Sequence, residues 1–322
     1  VKTGPHTVRS VGMAMAMQGS GIGGLDVGSV QLKLNDDGFY TLMIGCSDMG
    51  TGCDTILAQM AADGLGCDMD NIIVRGVDTD QSPYDSGSYA SSTTYVTGGA
   101  VVKACESMRK RICEEAAAIM GLKSGEVDFD GETISENDNP EHSMTLSDLI
   151  TSLEAGNGRI IEVTESHTSP VSPPPFMAGA AEIEVDLETG KITPINYVAA
   201  VDCGTVINTN LARIQTEGGI VQGMGMTLYE DVQYTEAGKM KNRNFMSYKI
   251  PTRLDMGSIS VEFESSYEQT GPYGAKSIGE IVINTPAPAI ADAVYNATGL
   301  RFRTLPITAE QVMMGLLERE EA

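Results

Sequence analysis

A proline-rich stretch at residues 167–175, HTSPVSPPP, places the strongest constraint on how this chain can fold. Proline fixes φ and lacks the backbone donor, so neither a helix nor a central strand can continue through this segment. The chain has 322 residues and 41% hydrophobic content, which is enough to form more than one hydrophobic core. The sequence therefore predicts two lobes, residues 1–166 and 167–322.

Strand and helix patterns are mixed in the first predicted lobe. The predicted elements are a hairpin over residues 29–45 that turns at 36–38, a helix over 53–66, a short buried strand over 71–76 and one long helix over 94–122. The stretch 128–143, DFDGETISENDNPEHS, is polar and aperiodic, and we predict irregular structure there.

The second predicted lobe carries the same mixture of elements. Two strands are predicted between residues 180 and 204 around a turn at 188–190, followed by a glycine-rich helix over 212–224. A closing helix begins after Thr308, because Thr308 and Gln311 form a capping-box pattern. Strands and helices mixed within both lobes indicate an α+β fold.

Charge and composition exclude several classes of protein. A formal net charge of −23 disfavours binding to nucleic acid or to an anionic membrane surface. The sequence has no apolar run of the roughly 18 residues that cross a bilayer and no signal-peptide pattern at its start, which predicts a cytoplasmic protein. The six cysteines form no C-x-x-C pair and should be free thiols, and three scattered histidines do not suggest a metal site. A metal, if present, must therefore be held by something other than a set of cysteines and histidines.

Residues 19–24, GSGIGG, satisfy the pattern G-x-G-x-x-G. In a dinucleotide-binding fold this pattern opens a helix, but the next residues, LDVGSVQLKL, are typical of a strand. The dinucleotide interpretation is thus disfavoured. A loop that approaches an anionic cofactor and a plain mobile loop both remain open, as does a free-standing nucleotide-binding protein.

Five glycine- and hydroxyl-rich loops stand out along the chain. They are CSDMGTG (46–52), SPYDSGSYASS (82–92), VDCGTVINTN (201–210), QTEGGIVQGMG (215–225) and YGAKSIGE (273–280). Each is a weak signal alone, since turns and helix caps have the same composition. Together they provide backbone donors, amides and hydroxyls, which suit a large polar cofactor held by hydrogen bonds.

The order of these loops resembles the C-terminal half of the molybdenum-cofactor subunit in the xanthine dehydrogenase/aldehyde oxidase family of molybdenum hydroxylases. The resemblance rests also on NFMSYKIPT (244–252) and covers nearly the whole chain. It implies a two-lobed molybdopterin-binding fold with mixed sheets and packed helices. In this family the glutamate of G-[AS]-K-x-x-G-E is the catalytic base, which here is Glu280.

The resemblance also implies a set of cofactor-binding residues: Met49, Gly50, Thr51, Ala90, Ser91, Gln215 and Gly279. Gln215 corresponds to a glutamine that hydrogen-bonds the pterin, and Ala90 and Ser91 to a loop beside the metal. Thr51 departs from the pattern, because family members commonly have glutamine there. In most of the family the pterin dithiolene, and no protein side chain, holds molybdenum.

The cofactor implied by the resemblance is molybdopterin with molybdenum, in the cytosine dinucleotide form and with a terminal sulfido or selenido ligand. The chain resembles only half of a family site, as in the nicotinate dehydrogenases, whose molybdopterin polypeptide is divided. Implied partners are therefore a larger molybdopterin subunit, an iron–sulfur subunit and an FAD subunit. The implied substrate is a small N-heteroaromatic compound, nicotinate-like or a purine, hydroxylated with oxygen from water. The alternative is a non-catalytic subunit that completes a partner's molybdenum domain.

Overall fold

A computed structural model of the chain describes residues 1–321. The strands are β1 (Thr7–Met17), β2 (Gly28–Leu34), β3 (Tyr40–Ile44), β4 (Ile72–Arg75), β5 (Val127–Phe129), β6 (Thr133–Glu136), β7 (Asn139–Thr145), β8 (Ile161–His167), β9 (Phe176–Asp186), β10 (Ile192–Asp202) and β11 (Ser258–Phe263). The α-helices are α1 (Cys53–Leu65), α2 (Gly98–Met120), α3 (Leu146–Asn157), α4 (Thr209–Leu228), α5 (Pro286–Thr298) and α6 (Ala309–Glu321).

The first sheet has the strand order β4-β3-β2-β8. β2 and β3 form the predicted antiparallel hairpin, whereas β4 joins β3 in parallel after the crossover through α1. Alternating residues of β2 and β3 are buried and pack with the apolar sides of α1 and α2 in one hydrophobic core. Both helices end at a glycine in the left-handed region, Gly66 and Gly121.

The prediction of irregular structure over residues 128–143 was wrong. These residues form most of a small antiparallel sheet of order β5-β6-β7. Its strands are polar because only one face is covered: Phe129 and Ile134 are paired and fully buried, while β7 is almost entirely exposed. A strand with so few apolar positions gives little periodic signal in the sequence.

The second sheet has the order β1-β9-β10-β11, with antiparallel pairs except for the parallel pair of β10 and β11. β9 and β10 are the predicted strands on either side of the turn at 188–190. α5 packs on β1 and β9, because Gly12 leaves room for the backbone of α5, where a Cβ atom would lie 2.2 Å from the carbonyl oxygen of Ala289. A second hydrophobic core, over residues 177–312, lies here.

The described residues therefore confirm the predicted α+β class, with two mixed sheets and packed helices. The division into lobes 1–166 and 167–322 stays a proposal: the two cores lie on either side of it, but β1 pairs across it with β9.

The capping box is confirmed, since Thr308 and Gln311 exchange hydrogen bonds at the start of α6. All six cysteines are free thiols. Within residues 1–321 no helix combines the length and apolar character that a bilayer crossing requires.

Candidate cofactor site

A cleft of about 240 Å³ lies where the loops that follow β3 and β10 meet. All five glycine- and hydroxyl-rich loops predicted to hold a cofactor contribute residues to it. The lining residues are Met49, Thr51, Cys53, Ile56, Ser88, Ser91, Thr93, Thr94, Cys203, Thr205, Val206, Ile207, Asn208, Leu211, Ala212, Gln215, Lys276, Ile278, Gly279 and Glu280. Of the predicted site residues, Gly50 and Ala90 are outside this lining set, and the other six are within it.

The segment that leads to Glu280 is paired with the exit of β10. Gly204 and Ala275 form an antiparallel bridge, in which Thr205 N donates to the Gly274 carbonyl (2.8 Å) and Lys276 N to the Cys203 carbonyl (2.8 Å). Gly274 has φ +84°, a value that L side chains rarely adopt, so glycine is required for this entry. The turn brings the loop 201–210 and the loop 273–280 side by side.

Lys276 lines the cleft and forms a largely buried ion pair that the sequence did not predict. Its side chain is 8% exposed, and Nζ donates to Asp202 Oδ2 (2.7 Å) and to the Pro174 carbonyl (3.1 Å). Asp202 also accepts from Ser266 Oγ (2.5 Å) and Gly204 N (3.1 Å). Burial acts to raise the pKa of Asp202. The hydrogen bonds from Lys276, Ser266 and Gly204 outweigh burial and hold this pKa below its usual value. The pair thus fixes the base of the Glu280 segment.

The carboxylate of Glu280 is held at one oxygen. Oε2 accepts from Gln18 Nε2 (2.7 Å) and from Ser91 Oγ (3.0 Å), and the Glu280 backbone N donates to Ser91 Oγ (2.9 Å). Glu280 is solvent-exposed and lines the cleft. The structure therefore presents a carboxylate of fixed orientation at the cleft surface.

Gln215 and Gly279 meet directly. Gln215 Nε2 donates to the Gly279 carbonyl (3.0 Å), while its side chain lines the cleft from α4. A Cβ atom at Gly279 would lie 2.9 Å from Ser91 Oγ, so glycine allows the close approach of these two loops. In the described residues no donor reaches Gln215 Oε1, which can therefore accept from a cofactor.

The loop of Ala90 and Ser91 is strained and supported from behind. Both residues have positive φ, 50° and 57°, which is uncommon outside glycine. Gly21 N donates to the Ala90 carbonyl (2.8 Å), and Ser20 Oγ is 3.0 Å from Ser277 Oγ, so the G-x-G-x-x-G segment supports the two loops that flank Glu280. It leads into β2 instead of a helix, which contradicts the dinucleotide-binding interpretation.

The loop before α1 is organised by Asp48. Its carboxylate accepts from the backbone N of Gly50 (2.8 Å), Gly52 (3.2 Å) and Asp54 (3.3 Å). Burial works against ionisation, but these hydrogen bonds hold the pKa of Asp48 below its usual value. Asp48, Cys53 and Asp54 form one group with metal-ligand atoms within 4.8 Å of one another, yet the Asp48 oxygens are already directed at backbone donors. Because Asp48 binds backbone N–H groups of this loop, the loop contributes side chains to the cleft, Met49 among them.

The cleft suits the cofactor that the resemblance implies. Its polar side chains are mainly hydroxyls and amides, including Thr51, Ser91, Asn208 and Gln215. Burial raises the pKa of the Cys203 thiol to about 11, so this cysteine adds no charge to the cleft at neutral pH. These residues fit a molybdopterin held by neutral hydrogen bonds, with its metal bound through the cofactor.

Sequence reasoning missed Gln18 and Asn284, which lie beside Glu280. Asn284 Nδ2 donates to Gln18 Oε1 (3.3 Å), and Gln18 contacts Glu280 across 262 positions of sequence. The alternating run before Gln18, VGMAMAM, is a strand signal that would have placed Gln18 at a strand end. Nothing local in the sequence indicates which residue it meets.

Comparison with known sequences gives a consistent family. The family model described as a molybdopterin cofactor-binding domain matches residues 2–257. The chain is 33% identical over 310 residues to the probable hypoxanthine oxidase XdhD of Escherichia coli K12, covering 95% of this chain and 32% of that protein. It is 29% identical over 294 residues to the putative xanthine dehydrogenase molybdenum-binding subunit XdhA of the same organism, covering 90% and 39%. The chain thus spans about a third of the length of these relatives.

Solved structures share the fold. Quinoline 2-oxidoreductase from Pseudomonas putida 86 superposes with a TM-score of 0.87 at 24% identity, covering 97% of this chain and 42% of that one. The aldehyde oxidoreductase from Desulfovibrio desulfuricans gives a TM-score of 0.79 at 27% identity, covering 97% and 33%.

Proposed function

Because this chain belongs to the molybdopterin cofactor-binding domain family of the molybdenum hydroxylases, and corresponds to the C-terminal half of their molybdenum subunit, we propose that it carries the general base of such an enzyme, Glu280. The proposed reaction is hydroxylation of a carbon next to a ring nitrogen in a small N-heteroaromatic compound, nicotinate-like or a purine. Relatives named for hypoxanthine and xanthine support this substrate class.

The observation that carries the proposal is the orientation of the Glu280 carboxylate. Oε2 is held by Gln18 and Ser91, and Oε1 accepts no hydrogen bond from the residues that the structure describes. A fixed carboxylate with a free oxygen in a cofactor cleft is suited to accept a proton from the water that provides the hydroxyl oxygen. When bound, the molybdenum cofactor supplies the redox centre that takes up the two electrons.

The remaining predicted residues then serve to bind the pterin. Gln215 Oε1 is free to accept a hydrogen bond while Nε2 is held by the Gly279 carbonyl. Met49 provides apolar contact, and the Thr51 and Ser91 hydroxyls provide short polar contacts. The strained conformation of Ala90 and Ser91 keeps this loop close to the cofactor. We assign no metal ligand to a side chain.

Partner polypeptides are part of the proposal. Relatives of this chain are named as subunits of larger enzymes, which supports a larger molybdopterin subunit that completes the site. An exposed row of methionines on β1, Met13, Met15 and Met17, ends beside Gln18 and is suited to contact such a partner. The cofactor is proposed to be the cytosine dinucleotide form with a terminal sulfido or selenido ligand, and the electrons to pass to iron–sulfur and FAD subunits.

The substitution Glu280→Gln in the assembled enzyme tests the function. The amide keeps the size of the side chain but cannot accept the proton, so single-turnover reduction of the metal by substrate should slow about 10²-fold or more. Molybdenum and pterin content should be unchanged, as should all properties of a Glu236→Gln control, which alters an exposed turn. A variant that reduces at the wild-type rate would instead support the alternative of a non-catalytic subunit completing a partner's molybdenum domain.

A further inference from the structure

The hydrogen bonds around Glu280 make the two oxygens of its carboxylate different. Oε2 lies 2.7 Å from Gln18 Nε2 and 3.0 Å from Ser91 Oγ, whereas the described residues place no donor at Oε1. Two donors on one oxygen fill the lone pairs of that oxygen. Only Oε1 is then available for a proton.

Ser91 alone cannot set the direction in which the carboxylate points. Its hydroxyl accepts from the Glu280 backbone N (2.9 Å) and donates to Oε2, so it links the side chain to its own main chain. A single hydroxyl can rotate with the carboxylate and serve either oxygen. A second donor, from another direction, is needed to distinguish Oε1 from Oε2.

Gln18 supplies that second donor from a fixed position. It follows the last residue of β1, and its backbone N donates to the Pro175 carbonyl (3.3 Å). Its side-chain oxygen accepts from Asn284 Nδ2 (3.3 Å), which orients the amide with Nε2 toward Glu280. Asn284 directly follows the 3₁₀ turn at Ile281–Ile283 that Glu280 itself precedes. The amide is therefore held at both ends.

We propose that Gln18 is the positioning residue of the general base: it holds Oε2 of Glu280 so that Oε1 alone faces the reacting water. This inference rests on the proposed function of Glu280. Gln18 itself touches neither substrate nor proton, and its neutral amide adds no charge to the cleft. A displacement of a reacting group by about 1 Å can lower the rate by about 10²-fold, so a smaller displacement is enough for a tenfold loss.

The test uses Gln18→Met, which keeps the length of the side chain and removes the donor. In the assembled enzyme we expect the single-turnover rate to fall about tenfold, with KM and molybdenum content unchanged. In a Glu280→Gln background the same substitution should cause no further loss, because the two changes remove one interaction. The control is Gln31→Met, which breaks a comparable pair, Gln31 Nε2 to Glu162 Oε1 (2.6 Å), in the other sheet and should leave the rate unchanged.

A second measurement does not depend on cofactor. The sample is the full chain without molybdenum, and the NMR resonance of the Gln18 side-chain NH₂ group is assigned by its absence in Gln18→Met. This resonance should shift in Glu280→Gln. The side-chain NH₂ resonance of Gln31 should not shift. A slow Glu280→Gln enzyme combined with a wild-type rate in Gln18→Met would overturn the positioning role alone. A wild-type rate in Glu280→Gln would overturn the proposed function itself. Additive losses, or loss of molybdenum in Gln18→Met, would mean that Gln18 only stabilises the fold.

Discussion

At the scale of single residues, the site combines one exposed carboxylate with one buried ion pair. Glu280 is presented to the cleft, whereas Lys276, four positions earlier, is directed into the protein at Asp202. The two charged side chains of this segment therefore point in different directions, Lys276 toward Asp202 and Glu280 toward the cleft. The lysine anchors the loop, and the glutamate remains available for chemistry.

Replacing Lys276 with Met should destabilise the protein by about 2 kcal/mol at neutral pH, because Asp202, whose side chain is 25% exposed, would keep a partly buried charge without its partner. The pKa of Asp202 is lowered in the folded state, so its stabilising contribution is present above the ordinary carboxyl value of about 4 and is lost as pH falls through the lowered value. The penalty of Lys276→Met should thus shrink at acidic pH. Urea unfolding at neutral and acidic pH measures it.

The matched control for this prediction is Lys110→Met. Lys110 is exposed and lies 3.9 Å from Glu114 on the surface of α2, so its loss should cost less than about 0.5 kcal/mol. Equal costs for the two lysine substitutions would show that the Lys276–Asp202 pair contributes no more than a surface contact.

At the scale of elements, α4 positions the cleft through a face made of glycines. Gly219 is buried against Val282, in the turn that directly follows Glu280, and Gly223 lies against Pro286 at the start of α5. Glycines weaken a helix, and these two are explained by close contact with the elements that flank the site. The helix is therefore built to approach the Glu280 segment.

Adjacent glycines of α4 allow a sharp test of this contact. In Gly219→Ala the new Cβ would lie 2.2 Å from Val282 Cγ2, so the free energy of unfolding should fall by about 1–3 kcal/mol through overpacking. In Gly218→Ala no atom lies within 4 Å of the new Cβ, and the protein should become more stable by up to about 1 kcal/mol. Chemical denaturation measures both. The same sign for the two substitutions would contradict the packing explanation.

At the scale of the whole molecule, the cleft lies on a chain that spans about a third of the length of its relatives. Its lining comes from loops of both sheets, and the methionine row of β1 is exposed next to it. Met49 and Glu280 in this lining are exposed to solvent, so a pterin bound by this chain alone should keep part of its surface in water. Affinity for the cofactor should therefore depend on the partner proposed above.

The full chain produced without partners should consequently contain far less than one molybdenum per polypeptide, even in cells that make the cofactor. Elemental analysis and the fluorescence of the oxidised pterin measure the two components separately. Thermal unfolding of the same sample serves as the control, since a cooperative transition shows that the chain is folded. Stoichiometric molybdenum in the isolated chain would contradict the need for a partner.

Local patterns by themselves determined much of this protein. The hairpin of β2 and β3, the glycine ends of α1 and α2 and the capping box at Thr308 follow from φ preferences and side-chain periodicity within a few residues. The five loops that form the cleft were recognisable by composition and order. The polar sheet of β5 to β7 was not predicted, because its few apolar positions give little periodic signal. The strand β1 alternates in the sequence, but its pairing with β9 depends on a distant partner.

Tertiary structure alone decided which groups act together in the site. Gln18 meets Glu280, Lys276 meets Asp202, and the G-x-G-x-x-G segment supports the Ala90 loop through contacts that span from 69 to 262 positions of sequence. A hydrogen bond leaves no periodic trace in either of the two segments that it joins. The sequence could therefore indicate Glu280 as the proposed base, while only the fold could show what holds its carboxylate and which of its oxygens is free.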